Sequence, residues 1–188
     1  LEDVAADAEL AERELRERGV AATCRRVETR GELEQALADF RPDLVISDYS
    51  LPQFDGLQAL RLVLERDPDL PLILLTGSMN EETAVACMKA GAADYVLKDN
   101  LTRLPFAVEE AIKRKAAHRA RRRAEEALRE GEERFRELFE NMGSGAAVYE
   151  AVEAGRDFMF RDFNASAERI ERISRDRVIG RRVTEVFP

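Results

Sequence analysis

Apolar residues fall in short runs separated by stretches with helical spacing. Leu44-Val45-Ile46, Leu72-Ile73-Leu74-Leu75 and Tyr95-Val96-Leu97 are brief and bounded by charges or turn residues. Runs of this kind read as buried strands of a parallel sheet. Val4 to Arg18 places Ala8, Leu10 and Leu15 among acids and arginines and stops at Gly19, the pattern of an amphipathic helix with a glycine stop. Val20 to Val27 reads as a further strand, polar enough for a sheet edge. Thr29 and Glu32 form a capping-box pattern opening a helix over Gly31 to Phe40, which Arg41-Pro42 breaks. Leu57, Leu60, Leu62, Val63 and Leu64 predict a third helix ended by Asp67-Pro68, and Asn80 with Glu81 opens a fourth through Met88. Strands alternating with helices imply parallel βαβ units with right-handed crossovers.

After Pro105 there is no Gly or Pro until Gly131. A helix of about 36 residues is expected, about 54 Å long at 1.5 Å per residue. Ala117, Ala124, Leu128, Phe135, Leu138 and Met142 fit a heptad seam that Arg121 and Gly131 interrupt, which predicts a dimer contact. The alternative is a single helix packed on its own domains. Gly143-Ser144-Gly145 then turns the chain into strands at Ala146 to Val152 and Phe158 to Phe163, followed by a helix at Ala165 to Arg172. The expected organisation is three segments: 1–104, 105–142 and 143–188.

The strand ends carry the candidate chemistry. Asp48 closes the first run, Thr76-Gly77 the second and Lys98 the third, while the chain opens on Leu1-Glu2-Asp3 as though a strand had just ended. In open α/β sheets, ligands bind outside the carboxyl ends of strands. A lone Asp or Lys at such a place is most often structural or solvated. The ordered set carries the weight. With Ser47-Asp48-Tyr49-Ser50-Leu51-Pro52-Gln53-Phe54-Asp55-Gly56 and Lys89-Ala90-Gly91-Ala92-Ala93-Asp94-Tyr95-Val96-Leu97-Lys98, it resembles the receiver domain of two-component response regulators over roughly the first two thirds of the chain.

The resemblance implies a doubly wound, flavodoxin-like parallel sheet of five strands in the order 2-1-3-4-5. Only Leu1 stands for the first strand, so residues before it are expected. It also implies that Asp48 accepts a phosphoryl group from a histidine kinase or phosphotransfer protein. Asp3, helped by Glu2, would hold Mg²⁺ together with Asp48 and the Ser50 carbonyl. Thr76 and Lys98 would contact the phosphate, and Tyr95 would be the aromatic that reorients with Thr76. The chemistry is consistent. Clustered carboxylates repel without a cation, Mg²⁺ takes carboxylate and carbonyl oxygens, and Mg²⁺ with an ammonium neutralises a transferring phosphoryl group. A carboxylate nucleophile forms an aspartyl phosphate. Where the family follows its Lys with Pro, often in a cis peptide, Asp99 stands here. A haloacid-dehalogenase-type phosphatase needs a second Asp two residues after the nucleophile, and Ser50 occupies that position.

The 188 residues carry a net charge of −8, with 36% charged and 45% hydrophobic. That is a soluble globular composition, and its acidity argues against nucleic acid as the main partner. The basic stretch from Lys113 to Arg123 lacks aromatics, and a solvated face paired with Glu125, Glu126 and Glu130 is the expectation. His118, the one histidine, lacks the following acid of a phosphorylated kinase histidine and reads as a surface residue. Cys24 and Cys87 read as two reduced thiols. No apolar stretch approaches the about 20 residues that span a bilayer, and a cytoplasmic location is expected.

The last segment resembles the first half of a PAS sensor domain. The residues that carry this are Glu133-Arg134-Phe135-Arg136-Glu137-Leu138-Phe139-Glu140-Asn141, Asp162-Phe163-Asn164, Ala167-Glu168, Ile179-Gly180-Arg181 and Phe187-Pro188; the family often has Gly where Arg172 stands. The strands that would close such a sheet are expected beyond Pro188. The reading is a phosphoacceptor module, not itself an enzyme beyond gaining and losing phosphate, relayed through a helical homodimer to the PAS segment. A histidine kinase, diguanylate cyclase or phosphodiesterase would be the output. A phosphate-independent dimerisation scaffold is the alternative, favoured by Asp99.

Overall fold

The computed structural model describes residues 1–52, 54–77 and 81–187, with backbone alone at 81–83. Gln53, Pro188 and Asn80, the last expected to open the fourth helix, lie outside the described residues. The chain divides into two compact units, Leu1–Arg122 and Arg123–Pro188.

The first unit holds α1 (Ala5–Glu17), α2 (Arg30–Asp39), β1 (Val45–Asp48), α3 (Gly56–Arg66), β2 (Leu72–Thr76), α4 (Glu81–Lys89) and β3 (Asp94–Leu97). A 3-10 turn over Lys98–Arg103 then leads into α5 (Leu104–Asn141), a helix of 38 residues. The strands pair in parallel in the order β1-β2-β3, with Asp48 opposite Leu75 and Leu75 opposite Val96. β2 is central and buried along its whole length. Side chains alternate across a strand, so the sheet feeds two cores. Val45, Leu72 and Leu74 pack with α2, α3 and α4 residues such as Leu33, Leu60, Val63 and Cys87. Ile73, Leu75 and Val96 pack with Ala11 and Leu15 of α1 and with Leu104, Ala107, Val108 and Ala111 of α5. The last four recur at i, i+3, i+4 and i+7, which is one helix face. Complete burial of side chains such as Leu72 and Ile73 contributes about 1.5–3 kcal/mol each.

Local signals act as expected. Thr29 Oγ1 accepts from Glu32 N at 3.3 Å and Glu32 Oε2 from Thr29 N at 3.2 Å, a complete capping box. Asp55 and Gln58 cap α3 in the same way.

Two sequence expectations need correction. Among the described residues the parallel sheet has three strands, not five. The Val20–Val27 segment is not a strand here: one backbone bond, Glu2 N to Val27 O at 3.0 Å, joins it to the residues beside β1, too few for a ladder. Leu1 itself keeps a strand-like pairing: its nitrogen donates to Ile46 O at 2.6 Å and its carbonyl accepts from Asp48 N at 2.9 Å. In the basic stretch, Arg119 reaches Asp67 and both Arg122 and His118 reach Asp69, at 2.9–3.0 Å. These partners belong to the turn that ends α3 and are long-range additions to the basic face read from the sequence.

The second unit contains the end of α5, the antiparallel pair β4 (Ala147–Val152) and β5 (Asp157–Phe163), and short helices α6 (Ala165–Glu171), α7 (Arg175–Val178) and α8 (Val183–Val186). Phe160, Phe163, Ala167 and Val178 form its core. Asn164, fully buried, accepts from Ala146 N and Ala167 N and donates to the carbonyls of Phe139 and Ser144.

Candidate functional site

The backbone brings four acids and one ammonium together. Asp48 ends β1 on the face that packs against α1 and α5 and is 7% exposed. The strand-like pairing of Leu1 beside β1 sets Glu2 next to Asp48. One carboxylate oxygen from each of Glu2, Asp3 and Asp48 lies within 4.8 Å of the others. Lys98 follows β3 directly, and its Nζ donates to Asp7 Oδ2 at 2.7 Å, Asp48 Oδ2 at 2.8 Å and Glu2 Oε2 at 3.0 Å. Asp48 Oδ1 accepts from Ser50 N at 3.1 Å.

The turn behind Asp48 needs glycine. Gly56 N donates to Tyr49 O at 2.9 Å, and a Cβ at Gly56 would stand 2.6 Å from Leu74 Cδ2, 2.9 Å from Tyr49 Cα and 3.0 Å from the Asp48 carbonyl. The start of α3 can close on the aspartate's backbone only where no side chain intervenes.

Charge is unbalanced within this hollow, where four carboxylates face one lysine ammonium and the Arg26 guanidinium reaches the backbone carbonyls of Glu2 and Asp3 at 3.2 and 3.3 Å. Burial raises the Glu2 carboxyl above the usual carboxylate range, against the pull of Lys98 and the Val4 N–H. Burial works to lower the Lys98 ammonium, but its bonds to Asp48, Asp7 and Glu2 outweigh this and hold it above its ordinary value. Mg²⁺ ligand oxygens sit about 2.0–2.1 Å from the ion, so opposed ones lie about 4 Å apart. The Glu2, Asp3 and Asp48 oxygens are spaced on that scale and carry the hard, anionic donors such an ion takes.

The sequence-derived residues therefore split. Glu2, Asp3, Asp48 and Lys98 converge. Ser50 is present through its N–H on Asp48. Thr76, buried, ends β2 one residue beyond Leu75, the register partner of Asp48. Tyr95 packs against the α3 and α4 core and carries the Arg103 guanidinium 5.8 Å from its ring centre. Asp7 is the residue the sequence reading missed. Its only signal is an acid in the first turn of α1, four positions after Asp3.

Residues 1–109 match the family model of the response regulator receiver domain. The chain belongs to this family. Its fold is the flavodoxin-like receiver fold, and it is a two-component receiver, a module phosphorylated on aspartate. The DNA-binding transcriptional regulator NtrC of Escherichia coli is 36% identical over 94 residues, which are 50% of this chain and 19% of that protein. The C4-dicarboxylate transport transcriptional regulatory protein DctD of Rhizobium meliloti is 39% identical over 104 residues, 52% of this chain and 23% of the relative. The solved structure of a response regulator receiver domain protein from Clostridium thermocellum aligns with TM-score 0.54 at 27% identity, covering 62% of this chain and 93% of that one. This chain thus spans about a fifth of the length of the curated relatives. NtrC is by its name a DNA-binding regulator, so the exclusion of nucleic acid drawn from net charge gains no support. Among the described residues, no helix is long and apolar enough to cross a membrane.

Proposed function

We propose that Asp48 is the phosphoacceptor of this receiver. The observation that carries the reading is the triple hydrogen bond of Lys98 to Asp48, Glu2 and Asp7 beside the Glu2–Asp3–Asp48 oxygen cluster. Glu2, Asp3, Asp48 and the Ser50 carbonyl would hold Mg²⁺, which supplies charge neutralisation for the transferring group. The chain's own residues do the rest. Asp48 presents a carboxylate oxygen as nucleophile, Lys98 positions it and then meets phosphoryl oxygens, and Thr76 donates its hydroxyl to them. The new charge of about −1.5 to −2 draws Thr76 and releases room for Tyr95, a local event that biases a two-state element. The phosphodonor is a histidine kinase or phosphotransfer protein.

The domain reading follows the same lines: a receiver over 1–104, a connecting helix over 105–142, and the N-terminal half of a PAS domain over 143–188. A β-hairpin followed by three short helices supports the PAS assignment. So does Arg172, whose φ of +58° is the left-handed conformation that glycine adopts freely. Leu128, Phe135 and Leu138 on α5 and Met142 just after it are exposed, which supports pairing of two copies through that helix. Phosphorylation would alter the pairing and pass a signal to the output. The test is beryllofluoride binding with Mg²⁺, which mimics the phosphorylated state. Binding is expected in the native chain and absent in Asp48→Asn; equal binding by the variant contradicts the reading.

A further inference from the structure

We propose that Asp7 tunes how firmly the receiver holds its phosphoryl group, by competing for the Lys98 ammonium. The inference rests on Asp48 being the acceptor. An ammonium has three N–H donors and no more. In this structure one goes to each of Glu2, Asp7 and Asp48, and the bond to Asp7 is the shortest at 2.7 Å. Transfer forms a bond between an Asp48 carboxylate oxygen and phosphorus and breaks the bond from phosphorus to the donor's leaving atom, which departs with the electron pair. The phosphoryl oxygens then need Lys98, and one of its three bonds must turn toward them.

The three present acceptors are not equivalent. The Glu2 side chain is 7% exposed, so losing Lys98 leaves a buried carboxylate whose remaining hydrogen bond comes from the Val4 N–H at 3.1 Å. The Asp7 side chain is 39% exposed on the first turn of α1, where solvent can reach it and the positive end of the helix favours its charge. Asp7 is therefore the acceptor that gives way, and it resists in proportion to its charge. It also places a negative charge against the arriving phosphoryl group. Asp7 acts through Lys98, as a positioning residue. Its place four residues after Asp3, on a helix whose Ala11 and Leu15 pack into the α5-side core, ties α1 to the site.

The test compares the native chain with Asp7→Asn, which keeps shape and an acceptor oxygen while removing charge, and with Asp7→Ala. The probe is beryllofluoride at saturating Mg²⁺, followed by fluorine NMR, alongside Mg²⁺ binding on its own. Both variants are expected to bind beryllofluoride more tightly, roughly fivefold, the worth of one partly exposed ion pair. Mg²⁺ alone should bind slightly more weakly, because one attracting charge is gone. A merely structural role for Asp7 moves both affinities downward together. Unchanged or weaker beryllofluoride binding in Asp7→Asn overturns the proposal. Retained binding in Asp48→Asn overturns the acceptor assignment instead, so the two failures are told apart.

Discussion

Asp48 and Asn164 stand in similar places and in opposite circumstances. Each is a buried polar residue at or just past the end of a strand, Asp48 in the first unit and Asn164 in the second. Asn164 is closed off: two donors and two acceptors, all backbone, match its amide completely. Asp48 shares one ammonium with Glu2 and Asp7, and Asp3 adds a further acid. A polar group buried for architecture finds neutral, complete partners in its own fold. A group buried for chemistry is left with charge that calls for something from outside.

That contrast can be broken from either side. Replacing Asn164 by Ala orphans two backbone N–H groups and two carbonyls, and we expect a loss of about 3 kcal/mol in the second unit. Hydrogen exchange should lose its slow amides in β4 and β5 while phosphomimic binding by the receiver is unchanged; a matching loss in β1 and β2 would contradict the separation. Lys98→Ala should cost about 2 kcal/mol in the first unit, less than a fully buried pair because the side chain is 20% exposed. The pH dependence has a definite sign. The folded-state pKa of Glu2 is raised by burial, so the folded state binds more protons and stability falls as pH rises through that value. Without Lys98 the opposition to that rise falls to the Val4 N–H. The deficit should therefore be largest at neutral pH and shrink in acid, as read by urea unfolding at both. The smallest effect belongs to the ion pairs under α5. His118→Ala should change stability by about 0.5 kcal/mol or less and less still at high salt, since His118 is 60% exposed and Arg122 remains on Asp69.

What was legible in the sequence was mostly local. The Thr29–Glu32 box, the stops at Gly19, Pro42 and Pro68, and the apolar runs of β1, β2 and β3 each declare themselves within a few residues. The strand-end positions of Asp48 and Lys98 then followed from the topology. What stayed hidden depends on distant partners. Asp7 looks like any acid on an amphipathic helix, and its meeting with Lys98 spans 91 positions. The bonds of Arg119 to Asp67 and of Arg122 to Asp69 were hidden as well, since those partners lie 52 and 53 residues away. Val20–Val27 has strand-like composition, yet a strand needs a ladder of backbone partners and this segment makes one such bond, to Glu2. The charge excess around Asp48 was anticipated in kind; Asp7 makes it larger than the sequence reading allowed.

The central claim is that the charge left unmatched around Lys98 exists so that Asp48 can carry phosphate. Incubation with a small phosphodonor such as acetyl phosphate and Mg²⁺, followed by borohydride reduction and peptide mass spectrometry, tests it directly. The account predicts homoserine at position 48 and none in Asp48→Asn. Reduction at Asp3, Asp7 or Asp55 instead, or none with a correctly folded chain, would contradict it.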